Sequence, residues 1–493
     1  MQQMTTADWQ TLRNNLTIDG RAFINGKRVA GDKTETATTP IDNSPLAEVA
    51  FCSAAQTNEA VACARQTFNQ GVWTNRSPGT KKAVLHRFAD LLQEHRQELA
   101  LLETLDTGKP ITHSYEHDLA GVISCVRWYA EGLDKIYGEI PTTHKGALAL
   151  VRREPIGVIG GILPWNFPLL LLSWKVAPAL ALGNSIVIKP SEKTSLSTLR
   201  FAEIASQAGI PDGVFSVTPG WGQEVGKTLS LHPEVDSLVF TGSTNTAKHL
   251  LVAAGQSNMK RVSAETGGKS ANIVFADCYD LDKAVEGAVH GVFYNQGQVC
   301  IAGTRLLVEE SIYDDFIKKL IEKSSYYTPG NPLDSDCSMG CLIDDEHTKA
   351  VNQHIDNAIA EGAELLLDGR HAGHNQVGPT IFKTTPQHTV ACEEVFGPVL
   401  SVMTFKTEAQ AIAIANDSIY GLGAAVWTAE LNKAHRMASA LQAGSVFINN
   451  YNHGDMTVPW GGYKQSGNGS DKSFHALDKF SELKMTWIDL NAG

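Results

Sequence analysis

The sequence predicts an α/β protein centred on a doubly wound, mostly parallel sheet, and three observations carry that expectation. Over residues 155–240 short β-branched runs alternate with longer helical stretches, the rhythm of parallel strands joined by crossover helices. The alternation restarts after Gly268, which implies a second α/β block. At 493 residues the chain also exceeds one ordinary core, so two or three domains are expected.

In chain order, Phe23-Ile24-Asn25-Gly26-Lys27-Arg28 reads as a hairpin turn and Asp42-Asn43-Ser44-Pro45 as a second punctuation point. Over residues 81–105 apolar side chains recur at Val84, Phe88, Leu91, Leu92, Leu99 and Leu102, the spacing of one helix with a charged opposite face. Thr107-Gly108-Lys109-Pro110 stops it. Residues 134–155 are too polar for a core strand and, with Gly138 and Pro141, too broken for a helix. They read as an exposed hairpin that pairs with another chain, because free sheet edges are a liability. Strands follow at 158–163, 185–190, 214–217 and 237–240, separated by helices over 169–182, 195–208 and 223–230. In the second block, strands at 271–275 and 304–309 flank a helix over 281–294. Residues 482–490 alternate like one more exposed strand.

Ligands on such sheets bind beyond the carboxyl ends of the strands. Those ends carry Pro164-Trp165-Asn166-Phe167-Pro168, Lys189-Pro190-Ser191-Glu192, Pro219-Gly220-Trp221-Gly222 and Thr241-Gly242-Ser243-Thr244, small and polar residues that suit a nucleotide. Gly157, Gly160 and Gly161 do not spell G-x-G-x-x-G, which counts against an orthodox Rossmann pyrophosphate turn. Ser243 opens a helix whose free N–H groups favour a phosphate, and reads equally well as an ordinary N-cap serine. Glu192 stands where dinucleotide folds place an acidic residue on the ribose hydroxyls. A carboxylate there repels a 2′-phosphate, so NAD is favoured over NADP; the plain alternative is a solvated loop carboxylate.

The stretch that carries chemistry is Gln296-Gly297-Gln298-Val299-Cys300, where Gly291, Gly297 and Ala302-Gly303 strip bulk from both sides of the thiol. Free cysteine is usually a small buried hydrophobe, and one of eight becomes a nucleophile only in the right company. That company is Ala264-Glu265-Thr266-Gly267-Gly268-Lys269, a carboxylate in glycine-cleared backbone that could take a proton from a thiol or a water if the fold brings it near.

Composition narrows the class. The 41 basic and 53 acidic side chains, net charge −12, argue against nucleic acid or an anionic membrane as partner. The first residues lack a leader pattern, and the longest apolar run, 167–182, is broken by Lys175 and Pro178. The cysteines form no Cys-x-x-Cys pair and no histidine cluster at metal spacing accompanies them, so no metal is expected and a reducing, cytoplasmic setting is.

Phe293 through Cys300 to Arg305, Glu265-Thr266-Gly267-Gly268-Lys269, Pro164-Trp165-Asn166-Phe167, Lys189-Pro190-Ser191-Glu192, Phe240-Thr241-Gly242-Ser243 and Glu394-Val395-Phe396-Gly397-Pro398 together resemble the NAD(P)-dependent aldehyde dehydrogenase superfamily, over nearly the whole chain and in family order. Residues 293–305 and 462–469 are most similar to the bacterial branch that oxidises γ-glutamyl-γ-aminobutyraldehyde. The resemblance implies a Rossmann-type cofactor domain over 1–133 and 156–267, an α/β catalytic domain over 268–470, and a β-hairpin oligomerisation element over 134–155 and 480–493. A homotetramer or dimer follows, acting on a small-molecule aldehyde.

The resemblance also implies roles. Cys300 attacks the aldehyde as thiolate, the amide of Asn166 and the backbone N–H of Cys300 stabilise the oxyanion, hydride passes to the nicotinamide, and Glu265 activates the water that hydrolyses the thioester. Lys175 belongs to a proton path near that base. Lys189 and Glu192 fall on the adenosine ribose, Ser243 on the pyrophosphate, Gly222 and Gly226 beside the adenine half, and Glu394 with Phe396 at the nicotinamide ribose, with Trp165 a further cofactor contact. Phe167, Trp174 and Trp460 match positions lining the aldehyde tunnel. Glu116 and Asp118 fall on a segment that faces the tunnel mouth in amino-aldehyde relatives, where they could attract a cationic ω-amino group. Three residues depart from the family pattern: Thr266 replaces a leucine, Ala247 a glycine, and Ser470-Asp471 an Arg-Glu pair, the last bearing on the path through Lys175. Rival readings are a broad aliphatic or hydroxy-aldehyde dehydrogenase, a cysteine hydrolase, and a non-catalytic protein on the same scaffold; a coenzyme A-acylating relative has no use for Glu265.

Overall fold

In the computed structural model, which describes residues 4–370 and 372–491, the first block contains five parallel strands: Val158–Ile162, Ser185–Lys189, Phe215–Val217, Ser237–Thr241 and Arg261–Glu265. Positions 1–3, 371 and 492–493, which fall inside the segments assigned above, lie outside the described residues. Across the sheet the order runs Arg261–Glu265, Ser237–Thr241, Val158–Ile162, Ser185–Lys189, Phe215–Val217. The chain steps outward from Val158–Ile162 and then crosses back to its other side, so a switch point lies between Val158–Ile162 and Ser237–Thr241. Beyond Phe215–Val217 the sheet is completed to seven strands by the antiparallel hairpin Ala22–Ile24 and Lys27–Val29, which turns on Asn25 and Gly26 at φ 50° and 73°.

The fifth parallel strand is absent from the sequence reading. Arg-Val-Ser-Ala-Glu is too polar to announce a buried strand, and full pairing with Ser237–Thr241 makes it one. The predicted single helix over 81–105 is also two helices, Pro78–Glu94 and Arg96–Thr107, broken at His95. His95 leaves helical geometry at φ −91°, ψ 12°, and its Nδ1 lies 2.8 Å from the Glu98 carboxylate. The apolar period continues on both sides of the break, which is why the pattern reads through it.

The second sheet also has seven strands, with Ala271–Val274 between Arg305–Glu309 and Gly423–Trp427. Five residues, 266–270, separate the end of Arg261–Glu265 from the start of Ala271–Val274. The carboxyl edge of the first sheet therefore meets the amino edge of the second.

Residues 134–155 correct another expectation. The segment folds back on itself only at one antiparallel bridge, Glu139 with Val151, whereas Ala147–Pro155 pairs antiparallel, residue for residue, with Ser481–Asp489 of the same chain. The resulting ribbon leaves Leu483, Met485, Trp487 and Leu490 exposed. No helix among the described residues is long and apolar enough to cross a membrane.

Candidate active site

Cys300 lies on the loop between helix Leu281–Phe293 and strand Arg305–Glu309, at the joint of the two sheets. Just before it, Asn295, Gln296 and Gly297 adopt φ of 49°, 56° and 71°, a left-handed run that costs energy at its two non-glycine residues. Buried amides hold that run. Asn295 Nδ2 donates to Gln298 O (3.2 Å), Gln298 Oε1 accepts from Ile343 N (3.0 Å), and Asn166 Nδ2 donates to Gln298 O (3.0 Å). The last bond ties the loop after Val158–Ile162 to the cysteine loop and leaves the second Asn166 amide N–H for a ligand. A Cβ at Gly297 would stand 2.2 Å from Gly397 O, and one at Gly268 would stand 2.4 Å from Cys300 O, so close backbone approach demands both glycines.

Burial pushes the Cys300 thiol up to about 12, the carboxylates of Glu394 and Glu265 add to the effect, and the backbone N–H groups of Ile301 and Cys300 oppose it. At neutral pH the resting thiol is protonated, and attack requires a base. Glu265 is buried, and neither carboxyl oxygen has a hydrogen-bond partner among the described residues. Gly469 and Gly461 clear its flank: a Cβ on either would come within 3.0 or 3.5 Å of Oε1. Burial, then Asp471, hold the Glu265 carboxyl well above the usual range against the pull of Lys175 and Lys479. A buried carboxyl without partners costs stability, and such groups mark proton-transfer sites.

Behind Glu265, Asp471 pairs with both Lys175 and Lys479, and all three are buried. Asp471 thus stands on Lys175 as the departure from Arg-Glu allowed. Burial lowers Lys479 to about 8 although Asp471 opposes the shift. Lys479 is missing from the sequence reading, because only the turn of chain after Asp471 brings it back.

The residues expected at the cofactor lie at the carboxyl ends of the first sheet. Lys189 Nζ donates to Glu192 Oε2 (2.8 Å) and to Pro190 O (2.9 Å). Burial alone would raise Glu192; Lys189 overrides it and holds the carboxyl below its usual range. A Cβ at Gly222 would meet nothing within 4 Å, and one at Gly226 only Ile162 Cδ1 at 3.7 Å and Lys189 Cδ at 4.0 Å. This open shelf beside a paired carboxylate fits an adenosine lying flat. Ser243 Oγ accepts from Thr246 N (3.2 Å), so its side chain performs the N-cap task while the first-turn N–H groups of helix Thr244–Gln256 remain for a phosphate.

Glu394 Oε1 accepts from Gly268 N (3.0 Å), and a Cβ at Gly267 would fall 2.1 Å from its Oε2, so the carboxylate rests on the glycine pair next to Cys300. Burial lifts it to about 7. Phe396, at φ 57°, and His347 meet the Trp165 ring edge-on with centroids at 5.3 and 5.4 Å. His347, 2.8 Å from Phe396 O through Nε2, carries no local signal in the sequence.

A cavity of about 560 Å³ opens onto Cys300. Phe167 stacks on Tyr294 and Trp174 tilts against Trp460, with ring centroids 6.5 and 5.7 Å apart, so the walls are aromatic. His117, His290, His453 and Lys472 also reach the cavity, none of them singled out in the sequence. The pair Glu116 and Asp118 behaves differently from the expectation. The turn His113–Asp118 sends them apart: Glu116 faces outward and pairs with Arg96 at 3.2 Å, away from the wall. Asp118 does line the cavity, but it is buried and ion-paired with Lys109, whose Nζ lies 3.3 Å from Glu103 and 4.1 Å from the Phe167 ring centroid. Burial raises Glu103 to about 8 against the pull of Lys109. A substrate ammonium would have to displace Lys109.

Residues 28–486 match the aldehyde dehydrogenase family. The chain is 55% identical over 490 residues to the NADP/NAD-dependent aldehyde dehydrogenase PuuC of Escherichia coli (strain K12), with 99% of each chain covered. Among solved structures, the γ-glutamyl-γ-aminobutyraldehyde dehydrogenase from Burkholderia cenocepacia J2315 superposes with a TM-score of 0.97 at 49% identity, covering 99% of this chain and 100% of that one. P. syringae AldA, an indole-3-acetaldehyde dehydrogenase solved with NAD+ and IAA, does so with a TM-score of 0.98 at 51% identity and the same coverage. With both sheets and the joint between them inside the matched region, the chain belongs to the aldehyde dehydrogenase family.

Proposed function

We propose that this protein oxidises an aldehyde to its carboxylic acid with NAD through a thioester on Cys300, and that the aldehyde is an amino-aldehyde such as γ-glutamyl-γ-aminobutyraldehyde. The observation that carries the reading is the thiol of Cys300 on the wall of an aromatic cavity, with the Asn166 amide and the unpartnered Glu265 carboxyl at the same joint. The similarity to PuuC and to the B. cenocepacia enzyme supports the substrate, and the P. syringae complex supports the cofactor.

The Cys300 proton leaves to Glu265, directly or through one water, and sulfur bonds to the carbonyl carbon. The resulting oxyanion accepts from the Asn166 amide and the Cys300 backbone N–H. NAD, when bound, would supply the acceptor for the hydride whose loss from the former carbonyl carbon leaves the thioester on Cys300. Glu265 then takes a proton from the water that attacks the thioester carbon; the C–S bond breaks, and sulfur leaves as thiolate. Lys175, through Asp471, stands ready to relay the proton held on Glu265. Lys189 and Glu192 orient the adenosine ribose, and the Glu192 carboxylate disfavours a 2′-phosphate, so NADP serves less well.

We assign 1–133 and 156–267 to cofactor binding, 268–470 to catalysis, and 134–155 with 480–493 to assembly into a homotetramer. The exposed apolar strip on the ribbon supports that assembly. Eight cysteines without a disulfide support a cytoplasmic setting. The test is NADH formation across a panel of γ-glutamyl-γ-aminobutyraldehyde, 4-aminobutanal and hexanal. The conjugate is expected to exceed hexanal in kcat/KM by about tenfold or more, the scale of one well-placed polar contact, and Cys300→Ala to abolish the signal. Aldehyde oxidation that survives Cys300→Ala removes the reading.

A further inference from the structure

One cation on the cavity wall has no assigned task. Lys472 is only 8% exposed, lines the cavity that opens on Cys300, and its ammonium has no hydrogen-bond or ion-pair partner among the described residues. Its Nζ lies 5.7 Å from the ring centroids of both Trp174 and Trp460, within cation–π range of each, which favours the charged form although burial opposes it. Asp455 on the same wall favours the charged form, but it makes no ion pair with Lys472 and already accepts from Thr457 N (2.8 Å) and Thr457 Oγ1 (2.5 Å).

The backbone holds the lysine in this place at some cost. Lys472 and Ser473 sit at φ 62° and 48°, conformations that non-glycine residues seldom adopt. Ser473 N donates to Met456 O (2.9 Å), and Tyr129 OH donates to Ser473 O (3.0 Å), locking the turn. Its neighbour Asp471 points the opposite way, into the Lys175–Lys479 pair, so the left-handed turn separates a proton-path carboxylate from a cavity-facing ammonium.

We infer that Lys472 is a specificity-determining residue that binds a carboxylate at the end of the substrate remote from the aldehyde. Trp174, over which the ammonium sits, lies about 9 Å of axial rise beyond the first residue of helix Pro168–Leu182, and that helix starts next to Asn166. An aldehyde carbon at Cys300 and a carboxylate at Lys472 therefore belong to one extended chain, with its middle against aromatic walls. Buried with no hydrogen bond or ion pair to its ammonium, and with Asp455 acting on it only at longer range, Lys472 discriminates in favour of an anion, because a ligand lacking one leaves the ammonium unpaired. The inference deepens the aldehyde-oxidising reading and rests on it only for the position of the carbonyl.

Two measurements separate the fates of the two ideas. In the first, Lys472→Met and Lys472→Arg are compared with the parent for γ-glutamyl-γ-aminobutyraldehyde, succinic semialdehyde and hexanal. Lys472→Met is expected to cut the preference for the two carboxylate-bearing aldehydes over hexanal by about tenfold or more, through KM rather than kcat, and Lys472→Arg to restore most of it. In the second, which needs no turnover, hexanoate and hexanamide are titrated against tryptophan fluorescence. The parent is expected to bind hexanoate about tenfold more tightly than hexanamide, and Lys472→Met to erase the difference. Equal affinity of the parent for acid and amide, or a preference unmoved in Lys472→Met, overturns the role of Lys472. If no aldehyde reduces NAD while acid and amide still separate, the catalytic reading falls and the anion site stands.

Discussion

The thiol of the half-buried Cys300 is harder to ionise than a free cysteine because it is withdrawn from water and because Glu394 and Glu265 face it. A raised pKa means that thiolate is scarce until the pH approaches about 12, its fraction growing about tenfold per pH unit below that value. Inactivation of the cofactor-free protein by iodoacetamide should therefore keep accelerating beyond pH ~9 without a plateau. Glu394→Gln removes a negative charge beside the sulfur, so at fixed pH its inactivation should be faster, by severalfold. A parent rate that levels off below pH ~8 would contradict the electrostatics described here. Cys300 and Glu265 could be singled out in the sequence as candidates because glycine clearing is a local property. Lys472, Lys479 and His347 were not, since each acquires its meaning from a side chain on another segment.

Elements repeat the lesson at the next scale. The alternation of strand and helix over the first block was readable because hydrophobic period is written into adjacent residues. Arg261–Glu265 was not, because its polar side chains become a strand only by lying along Ser237–Thr241. The cysteine loop is the element most exposed to test. Gly297→Ala must place a methyl 2.2 Å from Gly397 O at φ 71°, so activity is expected to fall by about two orders of magnitude and stability by ~1–3 kcal/mol, read from kcat/KM and thermal unfolding. Gly255→Ala, in helix Thr244–Gln256 with open space around its Cβ, is the control: it should stabilise by ~0.5–1 kcal/mol and leave turnover intact. Equal losses in the two variants would show that the left-handed turn is not special.

At the scale of the whole molecule, the ribbon of Ala147–Pro155 and Ser481–Asp489 presents Leu483, Met485, Trp487 and Leu490 to solvent in one chain. An exposed apolar strip of this kind is the surface through which the proposed assembly would form. The double variant Met485→Lys, Trp487→Glu is expected to run as a smaller species than the parent in size-exclusion chromatography with light scattering; an unchanged mass would move the contact elsewhere. The sequence alone determined the α/β class and singled out Cys300, Glu265 and the strand ends as candidates, because period, glycine clearing and strand punctuation are properties of neighbouring residues. Tertiary structure alone decided that 147–155 pairs with the C-terminal strand, that Lys109 closes off Asp118, that Asp471 stands between two lysines and that Lys472 looks into the cavity. Those outcomes depend on which distant segments pack together and on the direction packing imposes on each side chain, and neither is written in the residues next to it.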